Sequence, residues 1–202
     1  MEWDPFLGNR KLLPEIERVN ASPLLVVGRL AYVKSVFGAA TQRAVLDALG
    51  PQTRKLVDAT SGSTAKVSMK VFLELDRSIL DHAFDGKIER FFELGEANAE
   101  RSLSTVHRAF LWLAGDPLIV FRRLAKAYPK YYEPGDFMLE QLVERGSQAS
   151  LKGVLPYHFC NYATHGWIKR AIELAGAQKV VLRHVDCRHR GAEVCRWKTE
   201  WV

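Results

Sequence analysis

The feature that most constrains this chain is a change of hydrophobic period near Tyr132. Before it, apolar residues recur three and four apart. Val71, Phe72, Leu75, Ile79, Leu80 and Ala83 make one stripe, with Lys70, Glu74, Arg77 and Asp81 opposite, so an amphipathic helix is predicted over 68–84. Phe91, Phe92, Leu94 and Ala97, then Val106, Phe110, Leu111 and Leu113, continue the style with a break near Ser102 to Ser104. Gly38 and Gly50-Pro51 punctuate shorter helical pieces upstream. Asp116-Pro117 supplies a cap and a first-turn proline for a helix that should end by Pro129. After Tyr132 the period is two. Phe137 to Val143 and Ala149 to Val154 flank Gly146-Ser147, and Lys179 to Cys187 and Val194 to Trp201 flank Arg190-Gly191, with a helix from Pro156 to Ala175 between the pairs. In the last strand Cys195, Trp197, Thr199 and Trp201 share one face, and Arg196, Lys198 and Glu200 the other. The expected fold is α+β: a helical N-terminal part packed on a four-stranded antiparallel sheet, built strand-strand-helix-strand-strand.

With 48% apolar and 26% charged residues, the 202-residue chain has the balance of a globular domain, which excludes a disordered or collagen-like chain. Residues 1–27 read as an N-terminal extension and 28–202 as a single domain. An apolar run such as Pro23 to Val27 is far shorter than the roughly 20 residues a membrane span needs, and Met1-Glu2-Trp3-Asp4 is no basic leader, so a cytoplasmic chain with no membrane span is expected. The net charge of +6 is uneven: residues 1–119 hold 15 Lys/Arg and 15 Asp/Glu, whereas 120–202 hold 14 and 8. Those cations stand singly or in pairs rather than as a block, so a nucleic-acid partner is not expected.

Two constellations could carry chemistry. His184, Cys187 and Cys195 surround the last hairpin, and Cys160 lies near the start of the preceding helix. Four N/S donors are what a structural zinc site requires, and zinc is the expected metal. Strand parity objects, because residues 184 and 187 of a regular strand face opposite ways unless the strand bulges or ends by Asp186. The alternative is that Cys160 and Cys195 are small core residues and His184 lies at the surface. The second constellation is aromatic: His107, Trp112, Tyr131, Tyr132 and Trp167, with Phe110, Tyr128 and Phe137, gather where helices should meet the sheet. They are expected to line a pocket for a small apolar or aromatic molecule. No set of acid, base and nucleophile can be named, so no enzyme is expected.

The run from Gly166-Trp167 through Glu173 to Ala177, Val180 to Cys187, Arg188, Arg190-Gly191, Cys195 and Trp197 to Trp201 contains C-x3-G-x3-C followed by alternating aromatics. It resembles the C-terminal signature of the four-vinyl-reductase-like family, within the heme-nitric-oxide-binding-like superfamily, whose fold is similar to that of transport-particle subunits. Tyr32-Val33, Phe37-Gly38, Asp116-Pro117, Arg122-Arg123 and Tyr131-Tyr132 look like the myxobacterial-type paralogues of that superfamily. The resemblance covers about residues 28 to 202. It implies a sensory or regulatory domain, homodimeric, whose output passes through an unknown partner protein; a constitutive assembly adaptor without ligand is the alternative. In the phenol-responsive activators, which have a similar domain, the hairpin cysteine pair, an upstream cysteine and an acidic residue hold zinc. Cys187 and Cys195 match the pair, Cys160 falls near the upstream cysteine, and His184 stands at the acidic position, leaving His184, Asp186 or water as fourth ligand. No heme-ligating histidine is assignable by motif, so heme is not expected.

Overall fold

A computed structural model describes residues 14–104 and 117–202. The chain enters through a 3-10 turn, Pro14–Arg18, and β1, Asn20–Ala21; Ile16, Val19 and Ala21 are fully buried, so this stretch docks on the body. α1, Pro23–Asp47, starts with Ser22 as cap and proline in its first turn. It therefore runs through residues 27 and 28 without a break. By length and composition α1 could cross a membrane. It is instead interrupted at Gly38, whose φ of 88° needs a glycine, and Gln42 Nε2 bridges the break by donating to the Leu30 carbonyl at 2.9 Å. The buried Arg29 ties the helix into the core.

α2, Pro51–Asp58, α3, Met69–His82, and α4, Phe91–Ser104, follow. Ser68 caps α3 by accepting from the Lys70 N–H, and the stripe Val71, Phe72, Leu75, Ile79 is the buried one. α5, Pro117–Tyr131, continues through Pro129 rather than ending there. Residues 105–116, which include the expected cap Asp116, lie outside the described residues.

β2, Val67–Ser68, and β3, Tyr132–Glu133, pair with β1 in a small antiparallel sheet, order β2-β1-β3, that the hydrophobic pattern does not announce. The main sheet has the expected composition: β4, Asp136–Val143; β5, Gly146–Lys152; β6, Val181–Asp186; β7, Cys195–Glu200, in the order β4-β5-β7-β6, all neighbours antiparallel. Cys195, Trp197, Thr199 and Trp201 form its buried face. β6 is an edge strand. His165 Nε2–H donates to the Leu182 carbonyl at 3.2 Å and Arg190 Nη2 to the His184 carbonyl at 3.2 Å, so alternate carbonyls of that edge are engaged by side chains.

Between the two strand pairs lies a π-helical turn, Phe159–Ala163, continuing into α6, Thr164–Leu174. α6 and α4 meet backbone to backbone. A β-carbon on Gly95 would overlap the Ala163 carbonyl, and one on Gly166 the Phe92 carbonyl, so each helix offers a glycine to the other. Lys169 and Arg170 of α6 clasp Glu96 and Glu100 of α4 at the surface.

Candidate functional site

α1, α4, α5, α6 and the inner face of β4 and β5 enclose a cavity of about 530 Å³, within the range of ordinary small-molecule sites. Its wall is mainly apolar. Leu24, Leu25 and Val27 come from the first turns of α1, Phe121, Ala125 and Tyr128 from α5, Phe137 and Leu151 from the sheet, and Trp167 and Ile168 from α6. Aromatic rings form one side. Tyr128 stacks on Phe137 with centroids 5.8 Å apart, Tyr132 lies 5.3 Å from Tyr128, and Phe121 lies 6.1 Å from Phe137. The glycine contacts between α4 and α6 set where Trp167 stands. Of the expected ligand-binding residues, Tyr131, Tyr132 and Trp167 are on this wall, and His107 and Trp112 lie outside the described residues.

The wall's polar groups are few. Asn98 approaches Gly28 so closely that a β-carbon on Gly28 would overlap its carboxamide oxygen. Neither the Asn98 carboxamide nor the hydroxyls of Tyr128, Tyr131 and Tyr132 have a hydrogen-bond partner among the described residues. Burial raises the phenol of Tyr132 to about 12 and pushes those of Tyr128 and Tyr131 up as well, so all three are neutral hydrogen-bond donors at physiological pH. Sequence reasoning missed the contribution of Gly28, Gly95 and Asn98. Its trace was two glycines inside otherwise regular helical patterns, where glycine costs about 1 kcal/mol and so points to close packing.

Behind the cavity lies a buried ion cluster that the sequence did not reveal either. Arg29, which also touches the cavity, pairs with Asp76 through Nε at 2.6 Å and Nη2 at 3.1 Å, and His158 Nε2–H donates to the same carboxylate at 2.8 Å. The Arg29 guanidinium lies over the rings of Phe159, at 4.6 Å, and Phe72, at 5.2 Å, and its Nη1 donates to the Leu25 carbonyl. Burial alone would raise the Asp76 pKa; the charge of Arg29 and the bond from His158 outweigh it and hold the carboxyl below its ordinary value. The cluster joins α1, α3 and the turn before α6.

Beside the π-helical turn that precedes α6 the thiols gather. β6 ends at Asp186 with a register irregularity between His184 and Asp186, which resolves the parity objection. The ligating atoms of His184, Cys187 and Cys195 lie within 4.8 Å of one another. Cys160 reaches Cys195, Sγ to Sγ 3.6 Å, and its own Sγ faces the Leu155 carbonyl. His184 stacks on Trp197 and donates from Nδ1 to Asn161 Oδ1 at 3.1 Å. Asp186 is engaged by Arg196. The hydrogen bond that Cys195 donates to Cys160, reinforced by burial, raises the Cys195 thiol to about 12, and the hydrogen bond with Cys195 pushes Cys187 up too.

No family model and no curated protein matches the chain. Solved structures do. It is similar to the H-NOX protein of Shewanella woodyi in its Fe(II)CO state with IWP-051 bound (TM-score 0.66, 12% identity, 89% of this chain and 94% of that one). It also resembles the S. oneidensis H-NOX protein in the Fe(II)NO state (TM-score 0.64, 14% identity, 90% and 99%). A third match is the Fe(II) unliganded H-NOX protein of K. algicida (TM-score 0.60, 13% identity, 90% and 96%). The chain has the H-NOX fold. That fold agrees with the resemblance to the heme-nitric-oxide-binding-like superfamily; these matches do not bear on the myxobacterial-type paralogues or the phenol-responsive activators. It also corrects the cofactor expectation of zinc with no heme: the matched structures are of H-NOX proteins in Fe(II), Fe(II)NO and Fe(II)CO states, and another concerns heme distortion in the H-NOX family.

Proposed function

We propose that this chain is a sensory domain, not an enzyme, that takes a flat, largely apolar molecule between its helices and its sheet and passes the occupancy to a partner protein. The observation that carries this reading is the cavity with its stacked aromatic side and unpartnered hydrogen-bond donors. Heme belongs to that ligand class, and the ligation states of the matched H-NOX proteins favour it. In size and apolarity the wall fits a porphyrin. For iron, its described lining holds no histidine, cysteine or methionine; the phenols of Tyr128, Tyr131 and Tyr132 are the side chains there that can ligate a heme iron. A cytoplasmic homodimer belongs to the same reading, as does a role for Tyr131, Tyr132 and Trp167 in ligand contact.

The test is a titration of the full chain with hemin and, separately, with metal-free protoporphyrin IX, followed by the Soret band and tryptophan quenching. Wild type is compared with Trp167→Ala, Tyr131→Phe and His107→Ala. Tighter binding of hemin, lost in Tyr131→Phe or His107→Ala, is the result expected for a heme sensor. Equal binding of both, weakened by Trp167→Ala alone, identifies an aromatic-ligand sensor without iron ligation. If neither porphyrin binds and small aromatic probes leave the melting temperature unchanged, the reading fails and a ligand-free adaptor replaces it.

A further inference from the structure

α5 differs from α2, α3 and α6 in how it handles charge. On α2, α3 and α6, cations are set three or four residues from acids: Arg54 with Asp58, Arg77 with Asp81, Lys169 and Arg170 with Glu173. Such spacing stabilises a helix by a few tenths of a kcal/mol per pair. α5 holds Arg122, Arg123, Lys126 and Lys130 and no acid at all. Arg122, Lys126 and Lys130 stand four residues apart in a single exposed row, and none of these three has an acidic partner among the described residues. At 1.5 Å rise per residue the row is about 12 Å long. Like charges at that spacing repel, so the row weakens the helix that carries it. The opposite side of the same helix holds Phe121, Ala125 and Tyr128 against the cavity.

From this we infer that the outer face of α5 is a docking surface for an acidic helix of a partner protein, with carboxylates at the matching four-residue spacing. Charge complementarity selects the sign of the partner. Two observations select protein over a phosphate backbone or a membrane surface. Ile119, 38% exposed, continues the row at its N-terminal end and offers apolar contact. The row is also short and carries no exposed aromatic on which a base could stack. The inference is independent of what occupies the cavity.

The experiment uses the full chain and a fluorescein-labelled helical peptide bearing Glu at every fourth position, with binding read by anisotropy at several salt concentrations. Replacing Arg122, Lys126 and Lys130 together by Gln should weaken binding about tenfold and flatten its salt dependence. Replacing three exposed lysines elsewhere, Lys34, Lys55 and Lys87, by Gln removes the same net charge and should change it less than twofold. A charge swap guards against a misfolded variant: Lys126→Glu should lose the original peptide and regain one whose central Glu is Lys. Equal weakening by both triple variants, or no rescue in the swap, overturns the proposal. So does a short DNA duplex or a phosphatidylserine vesicle that binds more tightly than the peptide through the same three residues.

Discussion

Two polar places lie side by side in the interior of this molecule and are built in opposite ways. In the ion cluster, Asp76 receives Arg29 and His158, and aromatic rings cover the guanidinium. On the adjoining cavity wall, Asn98 and the hydroxyls of three tyrosines have no hydrogen-bond partner among the described residues. A fully buried polar group without a partner costs roughly 1–3 kcal/mol; the cluster avoids that cost for the Asp76 carboxylate, whereas the wall's polar residues are only half-buried. The wall's donors therefore contribute little to stability and are left for a bound molecule to engage.

The comparison can be broken most forcefully at Asp76. Asp76→Ala leaves Arg29 buried without its counter-charge and should cost on the order of 3–5 kcal/mol, read as a lower urea midpoint. The pH dependence follows the same carboxylate. Its folded-state pKa is depressed, so its stabilisation is complete above the unfolded value near ~3.9 and is lost as pH falls through the folded one. Acid denaturation of wild type should accordingly steepen below about pH 4, and Asp76→Asn should flatten that limb. Next in size is Gly166→Ala, which forces α6 off the Phe92 carbonyl; a loss of about 1–3 kcal/mol is expected, with weaker porphyrin binding because Trp167 moves too. Trp167→Ala should weaken porphyrin binding roughly tenfold, about 1.4 kcal/mol, in the titration described above. The smallest effect sharpens the contrast most: Tyr132→Phe removes a hydroxyl without a partner, so stability should stay within about 1 kcal/mol of wild type while ligand affinity falls. A large stability loss in Tyr132→Phe would place that hydroxyl with the structural groups.

What could be read in advance divides along physical lines. Ser68 before Met69 and the Val71 to Ile79 stripe announce α3, and the alternation of Cys195, Trp197 and Thr199 announces the buried face of β7, because local chemistry and period agree there. α1 begins earlier than its pattern suggests, since Arg29 interrupts the apolar run and only the distant Asp76 makes that arginine buriable. The two-residue strands β1, β2 and β3 are too short to leave any period. Of the site, Tyr131, Tyr132 and Trp167 are legible as aromatics at a junction, whereas Asn98 depends on the close approach of α1 to α4 at Gly28, a long-range fact. No motif in the residues announces an iron ligand, so heme enters the proposal only through the likeness in fold to H-NOX structures.

The side chains that reach the carbonyls of Leu182 and His184 bear on how this protein behaves at high concentration. An open strand edge is a template on which another chain can add and from which fibres grow. With His165 and Arg190 already holding alternate carbonyls of β6, an incoming strand would first have to displace them. Self-association through that edge is thereby discouraged, which leaves any dimer to form through helices or through the opposite side of the sheet.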